Sequence, residues 1–126
     1  MVAFFYVMKI KTKKEIKKQL DKIWKEIIHQ KGQCEICGSI QNLNAHHIIG
    51  RSNTNLRYDI KNGCLLCVKH HFSAHQNPIY FTGWLKEHRP DDYLYLKNPE
   101  HEKTRVWYIS DYEEISKRLN EIQKTF

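Results

Sequence analysis

The chain has 126 residues, enough for one domain with a modest core, and at 40% hydrophobic content extra staples would help it hold together. The apolar opening "MVAFFYVM" is too short to cross a bilayer, which takes about 20 apolar residues, and its positive charge follows it instead of preceding it. Neither a membrane span nor a secretory signal is therefore expected, and the chain reads as cytoplasmic, where cysteines serve more often as metal ligands than as disulfides.

The net charge is +7, and it is unevenly spread: residues 9 to 31 hold nine lysines against three acids, while the rest of the chain is nearly balanced. Such a block suits a polyanionic partner, nucleic acid being the commonest, although a solvated helix face explains the charge alone equally well.

In chain order, "MVAFFYVMKI" reads as a short strand or a lead-in. A basic amphipathic helix is expected within residues 9–32. Ile16, Leu20, Ile23, Trp24, Ile27 and Ile28 recur there at helical spacing, with Thr12 and Glu15 as a capping box and Gly32 at the stop. After residue 75, "NPIYFTGWLKEH" suggests a helix with Pro78 in its first turn, and "RPDDYLYLKNP" a short helical turn or loop. "TRVWYI" is rich in β-branched and aromatic residues and reads as a strand. The last segment reads as a helix boxed by Ser110 and Glu113, with Ile115, Leu119 and Ile122 on its apolar face. Residues 78–126 thus form a helix-and-strand extension of the same domain.

Residues 34–75 carry most of the cysteine and histidine. Cys34 and Cys37 form a CxxC pair able to chelate one tetrahedral ion, and Gly38 lets the backbone turn sharply around it. "GCLLCVKHH" offers two ways to close the site: Cys64 with Cys67, or Cys67 with His70. A structural zinc is expected in either case, because the intervening segment is poor in core-forming residues and metal binding would supply folding free energy. A disulfide framework and a redox CxxC fit less well, the latter because no βαβ pattern surrounds it.

"NAHHIIGR" places His46 and His47 on different vectors, so the two imidazoles are expected to do different jobs. His71 and His75, at i and i+4, share one helix face and reach one ion; His46 or His47 could add a third ligand, leaving the other free as a base. Arg51, on the same loop, is a candidate for a phosphate contact, or simply a surface arginine. His29, His88 and His101 read as surface residues.

Taken together, "CEIC", "AHHIIGR", Asn62 and "LCVKHHFSAH" resemble the HNH endonuclease family, the ββα-metal nucleases with a zinc knuckle; the "AHHIIGR" form and the lysine-rich helix are most similar to small phage or prophage members. The resemblance covers residues 34–75, about a third of the chain. It implies a small α+β fold: a ββα-metal core on a structural zinc site, with "LNAHHIIG" and "CLLC" as strands and "KHHFSAH" as the start of the helix, flanked by amphipathic helices. It implies Cys34, Cys37, Cys67 and His70 as the zinc ligands, a histidine standing where the family usually has a fourth cysteine. It also implies His46, His71 and His75 as ligands of a catalytic divalent cation (Mg2+, Mn2+, Ni2+ or Zn2+), His47 as the general base that activates water, and Asn62 as the residue that ties the loop. The activity implied is hydrolysis of phosphodiester bonds in double-stranded DNA, the ion stabilising the leaving 3′ oxygen. A single site per chain predicts nicking, with double-strand breaks needing a second visit or a homodimer. The competing reading is a non-catalytic zinc-ribbon module that binds nucleic acid; it leaves the four histidines without purpose. A small-molecule hydrolase would need an apolar pocket, which the sequence does not signal.

Overall fold

The computed structural model describes residues 11–126. The opening "MVAFFYVMKI", read as a strand or lead-in, lies outside them. Among the described residues the chain is a small α+β structure: six α-helices around one two-stranded antiparallel sheet.

Helix α1 spans Lys13–His29. The Thr12 hydroxyl accepts the Glu15 backbone N–H at 3.2 Å and so satisfies one open donor of the first turn, as the capping-box spacing predicts. Beyond the helix, Gly32 takes a left-handed φ of 77°, which favours glycine. Ile16, Leu20, Trp24, Ile27 and Ile28 are all buried along one stripe, and the lysines stand on the other faces.

Strand β1 (Leu43–His47) pairs with β2 (Gly63–Cys67), with His46 opposite Cys64 and His47 opposite Gly63. Every residue of β2 is buried, because the sheet is covered on both faces. Alternation therefore sorts the strand: Leu65 enters the core under α1, while Cys64 and Leu66 enter a second core with Cys34, Ala74 and Phe81. Between the strands come a short helix α2 (Thr54–Arg57) and a 3-10 turn at Ile60–Asn62. Helices α3 (Val68–Gln76), α4 (Pro78–His88) and α5 (Pro90–Leu96) follow β2 without a long loop, each of the last two opened by its proline. Leu85 of α4 and Leu96 of α5 close a third core on Leu56.

Helix α6 (Ile109–Gln123) packs on α1 through Tyr112, Ile115 and Leu119. Its cap is Tyr108, two residues before the expected Ser110: the Asp111 carboxylate, not Glu113, accepts the Tyr108 backbone N–H at 2.8 Å. Ile122, expected on its buried face, is 37% exposed, while Tyr112, near the helix start, is buried. "TRVWYI" pairs with neither strand. Val106 and Tyr108 are exposed and only Trp107 anchors the segment, under the Arg105 guanidinium at 3.9 Å, so its apolar content marks one anchor and not a ladder. His101, expected at the surface, is partly buried against the Tyr95 ring, 4.6 Å between centroids.

At Gly63 the hairpin meets α1 with no room for a side chain. A Cβ there would stand 2.6 Å from Ile28 Cγ1 and 2.9 Å from Trp24 Cζ2, and both partners are fully buried. Overpacking of a filled core costs about 1–3 kcal/mol, so Gly63→Ala should lower the unfolding free energy by that amount, read as a lower denaturant midpoint at an unchanged m-value. An unchanged midpoint would show that the α1–hairpin contact is looser than this.

Candidate metal centres and the histidine hairpin

The chain after α1 wraps into a knuckle. The Ser39 carbonyl accepts the Cys34 N–H at 2.8 Å and the Cys34 carbonyl accepts the Gly38 N–H at 2.8 Å, with Gly38 at φ 78° closing the turn. This aims Cys34 and Cys37 at the end of β2, where Cys67 and, one turn into α3, His70 face them. The four donor atoms lie within 4.8 Å of one another. Cys37 Sγ and Cys67 Sγ are 3.8 Å apart, and His70 Nδ1 stands 3.2 Å from Cys67 Sγ and 3.8 Å from Cys34 Sγ. A tetrahedral ion with Zn–S of 2.3 Å puts two sulfurs about 3.7 Å apart, and sulfur and nitrogen about 3.5 Å apart. The donor set is therefore already spaced for one metal ion such as zinc, and the sulfurs are too far apart for a disulfide. Burial would raise the Cys34 thiol, but hydrogen bonds from the backbone of Cys37, Cys67 and Ile36 bring it below its usual value, toward the thiolate that binds metal.

Cys64 stands outside this group. It is fully buried in the second core, and its thiol is pushed up by burial first and by the nearby Glu35 carboxylate second. Of the two pairings that the spacing leaves open, the structure gathers Cys67 with His70.

Glu35, between the two knuckle cysteines, has a role that the motif did not signal. Its backbone N–H donates to the Leu65 carbonyl at 2.9 Å, and its carboxylate accepts the Leu65 N–H at 2.7 Å. Lys31 at 2.8 Å and Arg89 at 3.3 Å neutralise that carboxylate.

A second cluster forms on the far face of β1. His46 leaves the strand toward α3, where His71 and His75, four residues apart, turn toward it. His71 Nε2 and His75 Nε2 are 3.2 Å apart, between the roughly 2.9 Å of neighbouring octahedral ligands and the roughly 3.4 Å of tetrahedral ones at a metal–nitrogen distance near 2.1 Å. The His46 ring packs at right angles to His75 and to Phe81, 5.0 and 5.2 Å between centroids. Burial, then the neighbouring imidazoles, pushes His46 down to about 4, and His71 is lowered for the same reasons. Both are thus neutral at pH 7, the form that ligates metal.

His47 leaves the opposite face of the same strand. Its ring stacks on Trp24 of α1, 3.9 Å between centroids and 6° from parallel. His47 Nε2 lies 2.9 Å from the Arg57 carbonyl; because a carbonyl only accepts, Nε2 carries the proton and Nδ1 keeps its lone pair. Burial chiefly lowers the His47 pKa, helped by the Arg51 charge, while the carbonyl bond opposes both.

Asn62 is fully buried and spends its amide on the loop that follows His47. Its Oδ1 accepts the Ile49 N–H at 2.7 Å, and its Nδ2 donates to the carbonyls of Ile49 at 3.0 Å and Leu56 at 3.1 Å. It touches no histidine of the cluster, so its part is to hold the loop. Arg51 on that loop is 62% exposed and lies 3.6 Å from Asp21 of α1, whose carboxylate is gripped by Arg57 through two hydrogen bonds at 2.8 and 3.1 Å.

Two hollows flank this hairpin. A groove of about 690 Å³ runs along α1 between Lys18, Lys22, Lys25 and Arg51, so these lysines and the His47 loop face the same way. The other, about 430 Å³, has His46, His47 and His75 along one side and an apolar wall from Ile48, Phe81, Leu85 and Leu96. Its wall comes from three separate segments, and for that reason the sequence carried no sign of it. No described helix is long and apolar enough to cross a membrane.

Zinc content should separate the cysteines. The chain purified from zinc-containing medium should carry one tightly held zinc; Cys37→Ala should lose it and Cys64→Ala should keep it, by atomic emission. Loss from Cys64→Ala and retention by an otherwise folded Cys37→Ala would reverse the ligand assignment. In comparisons with known proteins, no family model, no curated protein and no solved structure matches this chain, so its reading rests on the two donor clusters and the hairpin between them.

Proposed function

We propose that the chain is a metal-dependent DNA endonuclease of the HNH, ββα-metal kind, with a structural zinc at Cys34, Cys37, Cys67 and His70. The observation that carries this reading is the division of labour on β1. His46 converges with His71 and His75 on one point, while His47, next in sequence, is backed by a carbonyl and a tryptophan with one ring nitrogen free.

In this reading His46, His71 and His75 hold a divalent cation, which when bound supplies Lewis-acid stabilisation of the leaving 3′ oxygen. His47 Nδ1 accepts a proton from water as the water oxygen bonds to phosphorus and the P–O3′ bond breaks; the departing O3′ takes a proton from solvent, leaving a 5′ phosphate and a 3′ hydroxyl. The lowered His47 pKa keeps its lone pair available at neutral pH. Asn62 fixes the loop that carries Arg51, and Arg51 is placed to meet a phosphate if it leaves its loose 3.6 Å contact with Asp21. The groove lined by Lys18, Lys22 and Lys25 favours a polyanion passing beside the hairpin, bound mainly through its backbone and weakened by salt.

Supercoiled plasmid with Mg2+, Mn2+ or Ni2+ provides the test. Wild type should nick it, and His47→Ala, with its zinc content and circular dichroism unchanged, should be at least about 100-fold slower, the usual size of a lost general base. Absence of cleavage with every ion, together with salt-sensitive DNA binding and one zinc, would leave a zinc-ribbon binding module instead. A separate measurement addresses the groove: replacing Lys18, Lys22 and Lys25 together by Ala should reduce the slope of log K against log salt by about 2 to 3. An unchanged slope would move the phosphate path elsewhere.

A further inference from the structure

The hollow beside the histidines is unexplained by backbone hydrolysis. A ββα site that acted only on phosphates would need an open, charged surface. Here the residues that follow His47 instead form one side of a recess that α4 and α5 enclose. Ile48, Ile49, Phe81, Leu85, Tyr93 and Leu96 line it, and none of its described lining residues is acidic. At about 430 Å³ it falls within the roughly 300–1,000 Å³ of small-molecule sites. Lys97 stands at its rim, its Nζ 5.2 Å from the centre of the Tyr93 ring.

Resting on the endonuclease reading, we propose that this hollow is a nucleobase subsite, and that the chain prefers DNA with an unpaired nucleotide beside the scissile bond. Three features select this occupant. The recess borders His46, His47 and His75, so whatever fills it is joined within one nucleotide to the reacting phosphate. Its wall is apolar and carries the aromatic rings of Phe81 and Tyr93, suited to the flat face of a base, which stacks on aromatic side chains without regard to sequence. Lys97 lines it, and Gly50 of its lining adjoins Arg51 of the lysine groove, so the phosphates on either side of a base seated here would meet positive groups. In a matched duplex every base is paired and stacked and none can enter; a bulged, mismatched or single-stranded nucleotide enters at lower cost.

Thr82 lines the recess from α4 yet is exposed, so a larger side chain there plugs the mouth without entering a core. Two labelled substrates, identical but for one unpaired nucleotide, would be cut by the full zinc-loaded chain with Mn2+. Wild type and Thr82→Ala should cut the unpaired substrate about 10-fold faster or more, and Thr82→Trp should bring the ratio near 1. In a parallel arm without added divalent ion, 2-aminopurine at the unpaired position should change its emission on binding wild type or Thr82→Ala, and not Thr82→Trp. Thr82→Phe stands in if Thr82→Trp loses its zinc. Equal rates on both substrates, or a preference that survives the plug, would overturn the subsite and leave the endonuclease reading intact. Cleavage of neither substrate would defeat the endonuclease reading by itself; the emission arm would then decide the subsite, an unchanged signal overturning it.

Discussion

The contact between Trp24 and the hairpin governs this structure. The indole is fully buried, donates its N–H to the Asp59 carbonyl at 2.9 Å, and lays its face on the His47 ring. That approach is possible because residue 63, opposite His47 in the ladder, has no side chain. One contact therefore sets three things together: the tilt of α1 and with it the path of its lysines, the register of β1 on β2, and the plane of His47. A shift of one residue in that register would exchange the faces of His46 and His47 and dismantle both halves of the site.

Strand alternation then does the remaining work. On one face His46 meets His71 and His75, which α3 brings together because i and i+4 are neighbours on a helix. On the other face His47 is held by a carbonyl and a stacked ring. Asn62, sitting just before β2, fastens the intervening loop with three side-chain hydrogen bonds. Its burial is compensated because both ends of the amide are satisfied, and removing it would leave the Ile49 N–H and two carbonyls without this partner.

Much of this was legible in the residues. The period-3.6 stripe of α1, its Thr12 cap, the CxxC turn at Gly38 and the i, i+4 histidines are local patterns, and local patterns survive into the fold. The choice of His70 over Cys64 as a knuckle ligand was left open by spacing alone; the fold brings the His70 ring to Cys34, Cys37 and Cys67, while Cys64 stays in the second core. What stayed hidden was tertiary. Trp24 looks like any core residue of an amphipathic helix, and nothing local marks it as the backing for His47. Glu35, inside the knuckle, looks like a surface acid. The apolar recess is assembled from segments dozens of residues apart. "TRVWYI" has strand composition, but a strand also needs a partner, and this segment pairs with neither strand of the sheet. The start of α6 moved because Asp111 reached the Tyr108 N–H before Ser110 could act as a cap.

A two-stranded sheet has two outer edges, and β2 is the more apolar strand. Its outer edge is occupied at Leu65 by the backbone N–H and the carboxylate of Glu35, both delivered by the knuckle. The knuckle thus substitutes for a third strand, and Lys31 and Arg89 hold the Glu35 carboxylate in that cover. Loosening the knuckle would uncover, at Leu65, the backbone N–H and carbonyl of a short, hydrophobic strand, the kind of edge through which chains join one another.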